Sequence, residues 1–164
     1  MSRALGLFVQ REIEGFHQDE VGDWVAELRC GHRQHVRHRP PFWVCRWVLA
    51  AESRAAQLGT TLPCVLCDRF EMPAGYVAYQ RTRELDQDSI PNGLRKDHST
   101  KAGIWGLIHV LAGRLRYIVE SPLASEHLLD HARHGVIVPE VLHRVIPDGD
   151  VRFFVEFYRR SSAG

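Results

Sequence analysis

The chain has 164 residues, 45% of them apolar and 25% charged, with a formal net charge of +1. That balance belongs to a folded globular protein, and it sets aside disordered and fibrous classes. The near-zero charge gives no global field to recruit nucleic acid or anionic membrane, and the longer apolar stretches, such as Ile104 to Leu111 with its interruptions at Gly106 and His109, fall far short of the ~20 apolar residues that span a bilayer.

The opening segment, Met1 to Gln10, holds one arginine but neither a full hydrophobic stretch nor a small-residue cleavage site, so a cytoplasmic protein without membrane contact is expected. Trp24 to Leu28 reads as a strand, with Ile13 to Phe16 as hairpin partner across a turn at Glu20 to Asp23. Between Arg29 and Arg46 lie five arginines and three histidines with no acidic residue. Phe42 to Leu49 is predicted to be extended, because Pro40-Pro41 blocks a helix just before it. Ala50 to Leu58 holds good helix formers, with Gly59 at the position of a C-terminal cap.

All four cysteines precede residue 68. Cys64-x-x-Cys67 on a tight knuckle presents two thiolates to one ion, and Cys30-Gly-His32 supplies a second pair for the tetrahedron that zinc prefers. The predicted ligands are Cys30, His32, Cys64 and Cys67, with His35 competing for the second position. A module of about 70 residues buries little apolar surface on its own, whereas structural zinc contributes an apparent ~10–16 kcal/mol in small domains. The alternative is a set of ordinary thiols with Cys64 and Cys67 as a redox pair. Cys45, inside the aromatic run Phe42 to Trp47, reads as a small hydrophobe.

The run from Gln34 to Pro41 is dense in donors. With His35 and Arg37 on one face and His38 near the other, it offers a surface for an anion or a nucleic-acid backbone, or it is a solvated cationic loop covered by Asp19, Glu20 and Asp23. Composition shifts near residue 72, and Met72-Pro-Ala-Gly75 reads as the joint between modules 1–72 and 76–160.

Beyond the joint, short strands alternate with turn formers: Tyr76 to Arg81, Ile104 to Leu111, Arg114 to Val119, Glu126 to Leu129, Val136 to Val138, His143 to Ile146 and Val151 to Tyr158. This spacing predicts a sandwich or barrel without helices. His98 and His143 are predicted to converge inside it. Glu156 either joins them or faces solvent, with Phe153, Val155 and Phe157 inside. Lys101 and Arg144 flank the histidines and favour an anionic ligand. If Ile108 and Val110 face inward, Trp105 and His109 fall on the outer face, where Trp105 is expected to support a homodimer contact.

Two resemblances accompany these readings. Ile13 to Glu20, Asp23 to Glu27, Cys30-Gly-His-Arg-Gln-His-Val-Arg-His38, Pro40-Pro41, Arg46 to Val48 and Cys64 to Cys67 together resemble an uncharacterised bacterial zinc-ribbon-like family, which implies a small β-rich module with one short helix and carries no chemistry over. Lys96 to Gly106, Val110 to Leu115 and Pro139 to Arg144 resemble the cupin domain of tellurite-resistance proteins of the TehB amino-terminal and YeaR type. That resemblance implies a mainly β chain ending in a jelly-roll barrel. The usual cupin metal set would fall at His98, Thr100, Gly106 and His143, so two of its four ligands are missing here. The combined expectation is a two-module metal-binding stress-response protein: a structural zinc module fused to a barrel that binds a small ligand or oxyanion, with a possible second divalent metal in the barrel. A metal-dependent cupin enzyme using His98, His143 and Glu156 is the alternative, and nucleic-acid binding through Arg29 to Arg46 ranks below it.

Overall fold

The computed structural model describes residues 8–162, so most of the opening segment lies outside the described residues. The chain is mainly β, with 48% strand and 12% helix, and it divides into two compact units. One is Gln10–Cys64; the other comprises residues 65–162 with residues 8 and 9. Among the described residues no helix is long and apolar enough to cross a membrane.

In the first unit β1 (Gln10–Gln18), β2 (Trp24–Leu28), β3 (Arg33–His35) and β4 (Thr61–Pro63) form one sheet in the order β3-β2-β1-β4. The β1–β2 hairpin turns where expected. Asp19 accepts hydrogen bonds from the Val21 and Asp23 amides at 3.0 and 2.9 Å, and Gly22 takes the left-handed conformation, φ +87°, that a side chain would resist. Ile13, Val25, Ala26, Leu28 and Val48 are buried as the core. The extended run predicted over Phe42 to Leu49 is not found. A bridge pairs Arg39 with Trp43, and Arg46–Leu49 then coils into a 3-10 turn. That turn buries Val48 and sets Trp47 edge-on to Phe16, centroids 5.6 Å apart, so tertiary packing overrides local propensity. Helix α1 (Ala51–Ala56) follows, with Gly59 at φ +83° just beyond it.

The second unit begins with a one-turn helix α2 (Val65–Asp68) and contains another, α3 (Asn92–Arg95); α3 falls within residues 76–160, so the helix-free expectation for that stretch is corrected. Each is a single turn, too short to show a 3.6-residue period in sequence. Its strands are β5 (Tyr76–Arg81), β6 (Leu85–Asp86), β7 (Trp105–Val119), β8 (Ser125–Leu129), β9 (Gly135–Ile137) and β10 (His143–Arg160). They form a curled sheet in the order β5-β10-β7-β8, with β6 joined to β10 and β9 to β7.

Two pairs of predicted strands prove to be single long ones. β7 and β10 pair along nearly their whole lengths, from His143 opposite Val119 to Tyr158 opposite Trp105. The supposed turns lie within them as irregularities. Leu111 is an extra residue between Val110 and Ala112, whose partners Phe153 and Arg152 are consecutive. One extra residue reverses the alternation: Ile108 and Val110 are buried before it, and Leu115, Tyr117 and Val119 after it. Gly113 then lies at φ +77°, and a Cβ there would sit 1.9 Å from the Asp150 carbonyl oxygen. Only glycine lets the two strands meet at this bend. Trp105 is fully buried in its own chain and offers no exposed outer-face contact, which corrects the role expected for it.

Candidate functional site

The four ligands predicted from spacing come together. One donor atom from each of Cys30, His32, Cys64 and Cys67 lies within 4.8 Å of the others, and all four residues are buried. Local chain geometry brings them there. Gly31, at φ +98°, turns the chain after β2 so that the His32 carbonyl accepts the Leu28 amide at 2.9 Å. Cys64 follows β4, and Cys67 is three residues on, in the single turn of α2.

The distances suit an ion. The His32 Nδ1 is 3.3 Å from the sulfur of Cys30 and 3.3 Å from that of Cys64, and these two sulfurs are 3.9 Å apart. A tetrahedron with metal–sulfur bonds near ~2.3 Å and metal–nitrogen bonds near ~2.05 Å has sulfur–sulfur edges of about 3.8 Å and sulfur–nitrogen edges of about 3.6 Å. The electrostatics agree. Burial disfavours a charged His32, yet the sulfurs of Cys30 and Cys64 push its pKa up to about 9, so the cluster draws positive charge. None of the four cysteines is in a disulfide. Cys45 is only partly buried and lies outside the cluster; its amide donates to His38 Nδ1 at 3.0 Å.

His35, the competing ligand, is bound elsewhere: its Nε2 meets Asp19 at 2.9 Å. The basic run is largely neutralised. Asp23 takes Arg37 at 2.9 Å and Arg39 at 2.6 Å, and the Arg39 guanidinium, with Arg37 beside it, holds the Asp23 carboxyl below its ordinary range against the opposing effect of desolvation. Arg29 meets Glu12 at 3.6 Å and Arg33 meets Glu27 at 4.0 Å. Sequence composition saw the cations as one block because their acidic partners come from earlier in the chain.

The second unit holds a cavity of about 440 Å³. His98 and His143 both line it, with Thr100 and Lys101, against an apolar wall that includes Ile104, Ile108, Ile137, Val145, Phe153, Val155 and Phe157. The two histidines pair through their backbones at 3.0 and 2.9 Å, and their rings meet edge to face with centroids 4.2 Å apart. His143 is 2% exposed. Burial pulls its pKa down to about 4, opposed by the Val141 carbonyl, so its ring is neutral at pH 7.

Glu156 does not join them. Alternation along β10 sends the odd-numbered residues 143, 145, 153, 155 and 157 to the cavity, and Glu156 faces away. There it accepts from His109 Nε2 at 3.2 Å and from the Tyr158 hydroxyl. Those two bonds, Tyr158 first, hold the Glu156 carboxyl below its usual range, partly offset by burial. The facial triad expected of these three residues is therefore corrected: the sheet lies between the carboxylate and the imidazoles. Arg144 is also engaged, by Asp97 at 2.9 Å and by Glu120, while Lys101 makes no ion pair among the described residues. Sequence reading did not find how the histidine rings are oriented, since the backbone carbonyls that fix them carry no side-chain signature.

Comparison with known proteins finds two family matches along the chain. Residues 14–71 match the family described as a protein of unknown function (DUF3565), and residues 80–155 match the TehB-like domain. No curated protein matches the chain in sequence. Among solved structures, TehB from Haemophilus influenzae aligns at 25% identity with a TM-score of 0.49, over 53% of this chain and 32% of that one; this chain thus spans about a third of that protein. A protein from E. coli strain K12 aligns at 20% identity with a TM-score of 0.51, over 56% of this chain and 98% of that one, a likeness in fold.

Proposed function

We propose that the protein is a two-module metal-binding protein in which Cys30, His32, Cys64 and Cys67 hold a structural zinc ion and a cupin-type barrel binds a small ligand. The observation that carries this is the convergence of three sulfurs and one imidazole nitrogen within 4.8 Å of one another in a buried position, with the Cys30, His32 and Cys64 atoms 3.3 to 3.9 Å apart. Three thiolates and an imidazole suit zinc among the common divalent ions, and four protein ligands leave no open position, which makes the ion structural.

The match to a TehB-like domain supports the barrel reading, and the cavity supports ligand binding: a chamber with a mainly apolar wall and polar side chains among its lining residues is the usual form of a small-molecule site. Its lining favours an organic molecule over a hydrated oxyanion, which would give up its water to isoleucine and phenylalanine side chains. A role in stress response, with tellurite as one possible challenge, accompanies this reading by resemblance alone. The metal-dependent enzyme reading is weaker, because Glu156 turns away from the two imidazoles.

Metal analysis of protein purified without a histidine tag tests the zinc reading. About one zinc per chain, retained through dialysis, is expected. Metal-free protein that is folded over Gln10–Cys64 and whose thiols all react freely would overturn it.

A further inference from the structure

The polar corner of the cavity is built in a particular way. His98 Nδ1 lies 2.9 Å from the Lys96 carbonyl oxygen, and His143 Nδ1 lies 3.0 Å from that of Val141. A carbonyl oxygen only accepts, so each Nδ1 carries a proton, and in the neutral tautomer that this selects, the Nε2 is a bare acceptor. Neither Nε2 has a hydrogen-bond partner among the described residues, although His143 is almost fully buried. Thr100 spends its hydroxyl proton on the Ile104 carbonyl at 2.7 Å. Lys101 is the one cation among the lining residues, which also include Tyr79, Gln80, Thr82 and Ser99; the Thr82 hydroxyl donates to the Arg83 carbonyl at 2.8 Å.

Each ligand class meets these groups differently. A carboxylate or oxyanion would satisfy Lys101 but set its lone pairs against two acceptor nitrogens, one of them in a ring that burial keeps neutral. An ammonium or amidinium would satisfy the imidazoles and be repelled by Lys101. A hydroxyl does both: its proton goes to an imidazole Nε2, and its oxygen accepts from the lysine ammonium. The aliphatic and aromatic wall, with Phe153 and Phe157, then takes a hydrocarbon body.

We infer that the cavity binds a neutral, mainly apolar molecule carrying a hydroxyl group, of the phenol class, with the hydroxyl held between the His98 and His143 Nε2 atoms and Lys101. This rests on the reading of the cavity as a ligand site, and it names the chemistry of the occupant.

Three probes of similar size separate the possibilities: 4-methylphenol, toluene and 4-methylbenzoate, each titrated into the zinc-loaded full chain by calorimetry. 4-Methylphenol should bind about 5- to 20-fold more tightly than toluene, the worth of one or two hydrogen bonds made in a dry site, and 4-methylbenzoate should bind more weakly than toluene. His98→Ala, at the half-exposed ring, and His143→Leu should each bring 4-methylphenol down towards toluene while toluene keeps its affinity. That unchanged value also shows that the chamber is intact. Equal binding of 4-methylphenol and toluene, or tightest binding of 4-methylbenzoate, would overturn the hydroxyl assignment and leave the cavity a ligand site of another kind. Binding of none of the three would overturn both.

Discussion

His98 and His143 exchange both of their backbone hydrogen bonds, at 3.0 and 2.9 Å, so a segment that precedes β7 is fastened to the start of β10 and two imidazoles are delivered to one cavity wall. Neither residue belongs to a run of histidines; strand pairing makes them neighbours across 45 residues of sequence.

The buried ring makes stability depend on pH. His143 is held near 4 in the folded chain against an ordinary ~6.5 when unfolded. Between those values the unfolded state binds the extra proton, so folding weakens as pH falls from about 6.5 to about 4, by up to ~1.4 kcal/mol per pH unit and about 3 kcal/mol in all. Above about 6.5 the term vanishes. Other groups titrate in the same window, so melting temperatures of the wild type and of His143→Gln are compared from pH 7.5 to 4.5; the variant should lose less stability than the wild type. Parallel curves would show that the ring is not held neutral.

At the bend of the long strand pair, Gly113→Ala meets both a left-handed backbone and the Asp150 carbonyl oxygen at 1.9 Å. We expect a loss of about 2–4 kcal/mol by chemical denaturation. Gly106→Ala keeps an ordinary backbone and meets first the Ile137 side chain, 2.9 Å from its Cδ1 and 3.2 Å from its Cβ; a side chain can shift where the Asp150 backbone cannot, so the cost should be about half as much.

Much of this was legible beforehand, for definite reasons. The Cys/His cluster was readable because Cys64-x-x-Cys67 and Cys30-Gly-His32 are short-range patterns whose geometry is local, though spacing alone left His35 as an alternative to His32. The strands were readable through their alternation, but not that β7 and β10 are each continuous. The extra residue at Leu111 reverses the alternation, and Ala112-Gly113 and Pro147-Asp148-Gly149 have the composition of turns. The side that Glu156 faces was undecidable in sequence, since Phe154 and Phe153 are equally apolar and only pairing with β7 assigns one of them to the cavity.

Glu156 supplies a direct check on that assignment. Because it bonds His109 and Tyr158 on the other side of the sheet, Glu156→Gln should leave probe affinity in the cavity unchanged within about twofold. It should also lower the Tyr158 pKa, which Glu156 pushes up to about 12, as followed by ultraviolet titration of the phenol. A large change in probe binding would place the carboxylate on the cavity side.

The paired arginines predict weak nucleic-acid binding. With Asp23 holding Arg37 and Arg39, the wild type should show little affinity for single-stranded DNA at ~0.15 M salt, where exposed charges are screened within about 8 Å. Asp23→Asn releases both guanidinium groups and should raise affinity at low salt, read by fluorescence anisotropy, with a steeper salt dependence. Tight wild-type binding with a steep salt slope would instead make the cationic run a working interface.

Cys64→Ser removes one corner of the metal cluster. Bound zinc should fall from about one per chain to a small fraction, and Gln10–Cys64 should lose protection from amide exchange, because the ion's apparent ~10–16 kcal/mol is folding energy in modules of this size. Cys45→Ser, outside the cluster, should keep its zinc.

X-ray absorption at the zinc edge on the untagged, purified protein reads the ligands of the ion themselves. A four-coordinate site with three sulfurs at about 2.3 Å and one nitrogen at about 2.0–2.1 Å is expected. A shell dominated by oxygen or nitrogen, two or fewer sulfurs, or no bound zinc in folded protein would rule out zinc held by Cys30, His32, Cys64 and Cys67.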